Sequence, residues 1–175
     1  MSAADLPVHH VPAGARIRRI RPADLDALAC FYAGLSPDSR RLRFFSAGSG
    51  LAPDAASGFC HPDHAHEEGF VALVAGRIVG HLCLEPTDDG ALEMAIAVAD
   101  ALQGRGLGRR LLGTATAWAR HHGYFRLKAT ILADNVPMLR LLHAIDGRVE
   151  LGPPQAGVIA ATVELTAERM EGAVA

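Results

Sequence analysis

The spacing of apolar positions changes several times along the chain, and each change marks an element. Ile17 and Ile20 predict a first strand that ends at Arg21-Pro22. Leu25, Leu28, Phe31 and Tyr32 then follow helical spacing, with Asp24 as N-cap and a stop near Gly34. Ser36-Pro37-Asp38 starts a second helix by the N-cap and first-turn proline rule, and that helix carries Arg40, Arg41 and Arg43 beside Leu42, Phe44 and Phe45. Residues 46–50 read as a glycine-serine loop and residues 52–60 as a short helix before His61-Pro62. Residues 70–74 and 78–84 predict a hairpin turned at Ala75-Gly76-Arg77. After a turn at Asp88-Asp89-Gly90, residues 91–99 form a near-continuous apolar run, a further strand.

The second half repeats the alternation. Leu107, Leu111, Ala115, Trp118 and His122 share one helical face, and Gly123 stops that helix. Residues 125–132 predict a strand. Residues 135–144 predict a helix with Met138, Leu141, Leu142 and Ile145 on its apolar side. Val149-Glu150-Leu151, a turn at Gly152-Pro153-Pro154 and residues 158–165 predict a closing hairpin. The order β-α-α-β-β-β-α-β-α-β-β is mixed α/β, with an antiparallel front half and a helical crossover in the middle. It has no internal repeat. It reads as one domain over residues 15–166, with a flexible lead-in over residues 1–14 and a frayed tail over residues 167–175.

Composition narrows the class. Half of the 175 residues are apolar, enough for a sizeable core. A net charge of −2 and a pI near 6.5 give no ground for generic nucleic-acid binding. Arginines cluster at Arg16, Arg18, Arg19 and Arg21 and again at Arg40, Arg41 and Arg43, which reads as solvated faces or phosphate contacts. Three widely spaced cysteines, Cys30, Cys60 and Cys83, point to a reduced cytoplasmic protein. No stretch has the length of a secretory signal core or a membrane span.

The candidate chemistry begins at Gln103-Gly104-Arg105-Gly106-Leu107-Gly108, a glycine turn between the apolar run and the helix. Such a turn exposes amide groups at the positive end of a helix, where phosphate oxygens bind. A dinucleotide turn needs G-x-G-x-x-G and an acid about twenty residues on, and residues 124–128 offer none. A P-loop needs G-K-[ST], and the chain has Gly108-Arg109-Arg110. The remaining pattern, Q/R-x-x-G-x-G/A, is met by Gln103, Gly106 and Gly108. Tight strand–helix packing is the alternative use of these glycines. Glu93 is the only ionisable residue in the apolar run, and period two places it on one face with Ala91, Ala95, Ala97 and Ala99. Small neighbours leave room there for a substrate, and partial burial would raise the pKa of this acid toward a useful range. The alternative is an ion pair with an arginine of a neighbouring strand.

On these residues the chain resembles the GCN5-related N-acetyltransferase superfamily, whose pyrophosphate signature for acetyl-CoA has this spacing. Residues 135–142, Asn-Val-Pro-Met-Leu-Arg-Leu-Leu, resemble the superfamily's N-x-x-[AM]-x-x-L helix. The resemblance covers roughly residues 16–165. Residues 35–45, L-S-P-D-S-R-R-L-R-F-F, and residues 92–96, L-E-M-A-I, are similar to segments of the Pat-type bacterial protein lysine acetyltransferases. The implied fold is a central, mostly antiparallel sheet of six to seven strands flanked by about four helices. The resemblance implies that Glu93 is the catalytic base. It implies that Gln103, Gly104, Arg105, Gly106, Leu107, Gly108 and Arg109 hold the pyrophosphate, and that Asn135 contacts the pantetheine arm, where a plain helix N-cap is the other reading. It further implies backbone donors at Ile96, Ala97 and Val98, at a bulge that splays the strand from its neighbour.

The superfamily's tyrosine acid is replaced by Leu142, and its "L-G-F" by Ile145-Asp146-Gly147. The expected partners are acetyl-CoA and an amine acceptor, with no metal, nucleic acid or membrane, in a monomer or homodimer. An amine is mostly protonated at pH 7, so acetyl transfer needs a base. A protein lysine is the first acceptor and a small amine such as an aminoglycoside or polyamine the second. The rival class is a non-catalytic acyl-CoA sensor. The His61-to-Glu68 segment, dense in histidine and acid, offers Asp63 and His64 as acceptor-side candidates, and a metal there lacks a spaced partner elsewhere.

Overall fold

The structure, a computed structural model, describes residue 12, residues 14–46 and residues 53–166. Most of the lead-in, the glycine-serine loop after Ser46, the start of the short helix at residue 52 and the tail lie outside the described residues. Seven strands form one sheet: β1 (Arg16–Arg19), β2 (Glu68–Val74), β3 (Arg77–Pro86), β4 (Leu92–Val98), β5 (Arg126–Leu132), β6 (Gly147–Leu151) and β7 (Val158–Leu165). Their order is β1-β2-β3-β4-β5-β7-β6. All neighbours are antiparallel except β4 and β5, which the crossover helix makes parallel. The helices are α1 (Leu25–Ala33), α2 (Pro37–Phe44), α3 (Pro53–Phe59), α4 (Leu107–His121) and α5 (Val136–Leu142). This is the mixed α/β architecture expected, and the short helix read over residues 52–60 is α3.

The crossover helix α4 turns one face inward. Leu107, Leu111, Leu112, Ala115 and Ala119 pack on Leu82, Leu84, Leu92, Met94 and Leu127 of the sheet. Burial of each such leucine is worth roughly 1.5–3 kcal/mol. Gly123 ends the helix with φ of 81°. Its amide donates to Arg120 O, and the Tyr124 amide donates to Ala119 O, so two orphan carbonyls are satisfied. The opposite face of the sheet carries a second core from α1, with Leu28, Phe31 and Tyr32 packed against Ile20, Val71 and Ile78.

Two local expectations change. Asp24 does not cap α1. Its carboxylate instead accepts from Arg18 at 2.6 and 2.7 Å and from the Arg21 amide at 2.9 Å, because a short 3-10 turn (Pro22–Asp24) precedes the helix and points this side chain back at β1. Ser36 does cap α2, accepting from the Ser39 amide at 3.2 Å. The arginines of α2 do not share a solvated face: Arg43 turns inward, its Nε buried without a partner.

Candidate active site

The sheet opens in its centre. β4 and β5 are paired only at Leu92↔Leu127 and Glu93↔Lys128. Beyond Glu93 the two strands part, while β4 stays in unbroken register with β3 from Leu92 to Val98. The parting therefore occurs without the bulge that the family resemblance implies in this ladder. The Ala99 amide donates to Val79 O, so alternation along an antiparallel ladder turns the amides of Ile96 and Val98 to the free edge. Ala97 lies between them and pairs with His81 of β3. The groove so formed is narrow, about 40 Å³, and is lined by Met94, Ala95 and Ile96 of β4, Ala129, Thr130 and Ile131 of β5, Leu42 and Arg43 of α2, and Asn135 and Met138 of α5.

The glycine turn closes one end. Gly104 and Gly106 have φ of 69° and 80°, a left-handed conformation that costs any residue with a Cβ. Gly106 is the N-cap of α4, so the amides of the first helical turn, Leu107 to Arg109, have no intrahelical acceptor. No acid occupies that turn, and Arg105, Arg109 and Arg110 are exposed around it. This is an anion cradle in both geometry and charge. Gln103 uses its side chain within the fold: Nε2 donates to Val98 O and to Ser39 Oγ, each at 3.0 Å.

That second bond ties the turn to α2. Asp100 accepts from the Ser36 amide at 2.9 Å, from Ser36 Oγ at 2.6 Å and from Ser39 Oγ at 2.7 Å. Burial works against its charge, but these bonds hold its carboxyl below the usual range. On the far side of the groove Arg41 meets Asp134 at 2.7 Å. The L-S-P-D-S-R-R segment is thus a strap anchored on both lips. Asn135 caps α5 by accepting from the Met138 amide at 3.1 Å, and it also lines the groove.

Glu93 stands at the last paired position before the strands part. It is half-buried and accepts from Thr130 Oγ1 at 3.0 Å. Among the described residues it forms no ion pair; Lys128, its partner on β5, binds Asp89 at 2.6 Å instead. Glu85 lies directly across β3 from it, and Cys83 and His81 follow on the same face opposite Ala95 and Ala97. His81 accepts or donates to Tyr32 across 2.8 Å in full burial. Burial, and then the charge of Arg43, hold this imidazole neutral, its pKa lowered to about 3. Burial pushes the Cys83 thiol up to about 11, so it is no thiolate nucleophile at neutral pH. Leu142, at the position of the superfamily's tyrosine acid, is fully buried in the core, and His143 is exposed.

The histidine segment stands apart from the groove. Asp63 accepts from the amides of His66, Ala65 and Glu67, which hold its carboxyl well below the usual range. His64 contacts the buried carboxylate of Glu68 at 2.9 Å, and Arg19 binds the same carboxylate at 3.0 Å. Among the described residues no group of three potential ligands could hold a metal. Beside this loop an open cleft of about 610 Å³ is lined by Ser57, Gly58, Phe59, His61, Glu67 and Glu85. Of the residues singled out in the sequence, Ile96 and Asn135 line the groove, Glu93 stands where β4 and β5 part beside it, and Val98 and the glycine turn follow along β4. Arg43, Asp100, Thr130 and Asp134 were missed. The spacing of Ser36, Ser39 and Arg43, i, i+3, i+7, was the available signal that one face of α2 looks inward.

The model of the acetyltransferase (GNAT) family matches residues 37–145. The solved GNAT domain of S. lividans PAT superposes with a TM-score of 0.79 at 28% identity, over 86% of this chain and 90% of that one. The structure of yncA from Salmonella typhimurium, described with its cofactor acetyl-CoA, shares the fold at 21% identity and a TM-score of 0.71, over 90% and 96%. Mycothiol acetyltransferase of Jonesia denitrificans is 40% identical over 82 residues, 46% of this chain, which thus matches about a quarter (26%) of that relative's length. No helix among the described residues is long and apolar enough to cross a membrane.

Proposed function

Because the chain belongs to the acetyltransferase (GNAT) family, we propose that it moves the acetyl group of acetyl-CoA to a primary amine, first of all a protein lysine, by direct attack. The observation that carries this reading is the parting of β4 from β5 immediately after Glu93, above a glycine turn at the head of α4. All of this chemistry falls to one domain, residues 15–166. The turn from Gln103 to Arg109 receives the pyrophosphate on its free amides. Asn135 and the edge of β4 from Ile96 to Val98 receive the pantetheine arm, and the free amides of Ile96 and Val98 face the acetyl oxygen as negative charge develops on it.

Glu93 takes the proton of the attacking amine, directly or through water. Thr130 fixes one carboxylate oxygen, and the other has no partner among the described residues. The acceptor enters from the open cleft, where Glu85 and Glu67 attract a cationic amine. Asp63 and His64 serve that side by holding the loop that presents Glu67. An open cleft suits a lysine side chain projecting from a protein surface better than it suits a small amine that must be enclosed. With Leu142 in the tyrosine position, the thiolate of coenzyme A takes its proton from water.

Thiol release from acetyl-CoA, measured across lysine peptides, folded lysine-bearing proteins, polyamines and aminoglycosides, tests the proposal. Turnover with lysine peptides or proteins above that with small amines is expected. Binding of acetyl-CoA with no turnover on any amine would overturn it in favour of a non-catalytic sensor.

A further inference from the structure

Arg43 is the one ionisable side chain among the described residues that line the groove. Its guanidinium sits under α2 on the face of the sheet that carries Glu93. Nη2 donates to Cys83 Sγ at 3.5 Å, a weak bond, and Nε is buried with no partner among the described residues. Cζ lies 4.8 Å from the centre of the Phe44 ring and 5.5 Å from that of Phe59. Among the described residues no carboxylate lies within ion-pair distance, although Glu85 contributes at longer range.

This arrangement is costly unless something completes it. A guanidinium has five N–H donors and strong hydration to replace. Arg18, Arg19, Arg41 and Arg126 all find carboxylates. Arg43 has two aromatic faces, a thiol and the Tyr32 hydroxyl oxygen, and no carboxylate among the described residues. Its donors lie over Cys83, which pairs with Ala95, two residues along β4 from Glu93; at about 3.4 Å per residue the offset is about 7 Å. Ala95 and Ile96 at that level have no strand partner on the β5 side.

We infer that Arg43 is a catalytic residue, donating hydrogen bonds to the acetyl oxygen as the amine attacks. The inference rests on the function proposed above. In the step it assists, the amine nitrogen bonds to the thioester carbon and the carbon–oxygen double bond yields its pair to oxygen. That charge is met by the guanidinium from one side and by the β4 edge amides from the other. The pair returns, the carbon–sulfur bond breaks, coenzyme A leaves as thiolate, and the amine proton passes to Glu93. A donor already fixed and desolvated acts without reorganisation, which is the condition for strong stabilisation of developing charge. A Lys in this place would offer a point charge and fewer, less directed donors.

The test uses the full chain, acetyl-CoA and a lysine peptide, with R43M, R43K and R43A and with thermal melts of each. R43M is expected to lower kcat on the order of 100- to 1,000-fold, as removal of one oxyanion donor does. The Kd for acetyl-CoA and the KM for the peptide should stay near wild type. R43K should recover a minor part, and added guanidinium should raise kcat of R43A. If wild type turns over and R43M keeps kcat within a few-fold, the inference falls while the proposed function stands. It also falls if the loss sits wholly in the Kd for acetyl-CoA or wholly in the KM for the peptide. Should R43M and R43A fail to fold, R43K decides: a folded R43K with wild-type kcat overturns the inference. Absence of turnover in wild type removes both the function and the inference drawn from it.

Discussion

Arg41 of α2 and Asp134, in the loop before α5, meet at 2.7 Å across the mouth of the groove between β4 and β5. The next residues on each side, Leu42, Arg43 and Asn135, line that groove. The pair is exposed, so it adds little to stability. On the proposed function, its place makes it a latch on the path of the pantetheine arm. D134N is therefore expected to speed both binding and release of acetyl-CoA several-fold in stopped-flow measurements, with an unchanged melting temperature. Rates equal to wild type would remove the latch.

The two glycines of the α4 turn should answer differently to alanine. Gly106 has φ of 80°, so G106A is expected to cost about 1–2 kcal/mol in a denaturant melt and to weaken acetyl-CoA binding. A Cβ on Gly108 would meet Leu141, Val98 and Ile96 at 3.5, 3.8 and 3.9 Å, ordinary contact. G108A should therefore keep wild-type stability. Equal losses in the two variants would contradict the turn geometry.

Acid should weaken the fold through His81. Its folded pKa, about 3, lies below the unfolded value of about 6.5, so the unfolded chain binds the extra proton between these limits. The stability it contributes is full above pH 6.5 and is lost as pH falls toward 3, at up to about 1.4 kcal/mol per pH unit. Urea melts at pH 7 and pH 5 should show this slope in wild type and a flatter one in H81Q. Parallel slopes would contradict a buried neutral imidazole.

Much of this was legible in the chain. Gln103, Gly106 and Gly108 defined the turn by their spacing, and at Gly106 that spacing answers to a left-handed backbone that only local geometry sets. Glu93 stood out because a single acid in an apolar strand has no local explanation. Register along one strand was equally plain: Glu93, Ala95 and Ala97 do share a face, opposite Glu85, Cys83 and His81 of β3. Relations between distant segments were not legible. Arg43 looked like its neighbours Arg40 and Arg41, and only the packing of α2 separates a guanidinium turned onto Cys83 from one bonded to the carbonyls of Ala33 and Leu35 and one paired with Asp134. Asp100 read as part of a turn, yet it is fixed by two serines more than sixty residues earlier, Ser36 and Ser39. The missing bulge in β4 has the same origin, since the parting of two strands depends on where β5 pairs with β7.

The central claim is that Glu93 is the base beside an acetyl-CoA groove, and E93Q tests it most directly. The amide keeps the size of the side chain and an acceptor for Thr130, but it takes no proton at neutral pH. Binding of acetyl-CoA by calorimetry should match wild type, while turnover on a lysine peptide should fall on the order of 100-fold or more. Binding and turnover that both survive unchanged in E93Q would contradict the assignment.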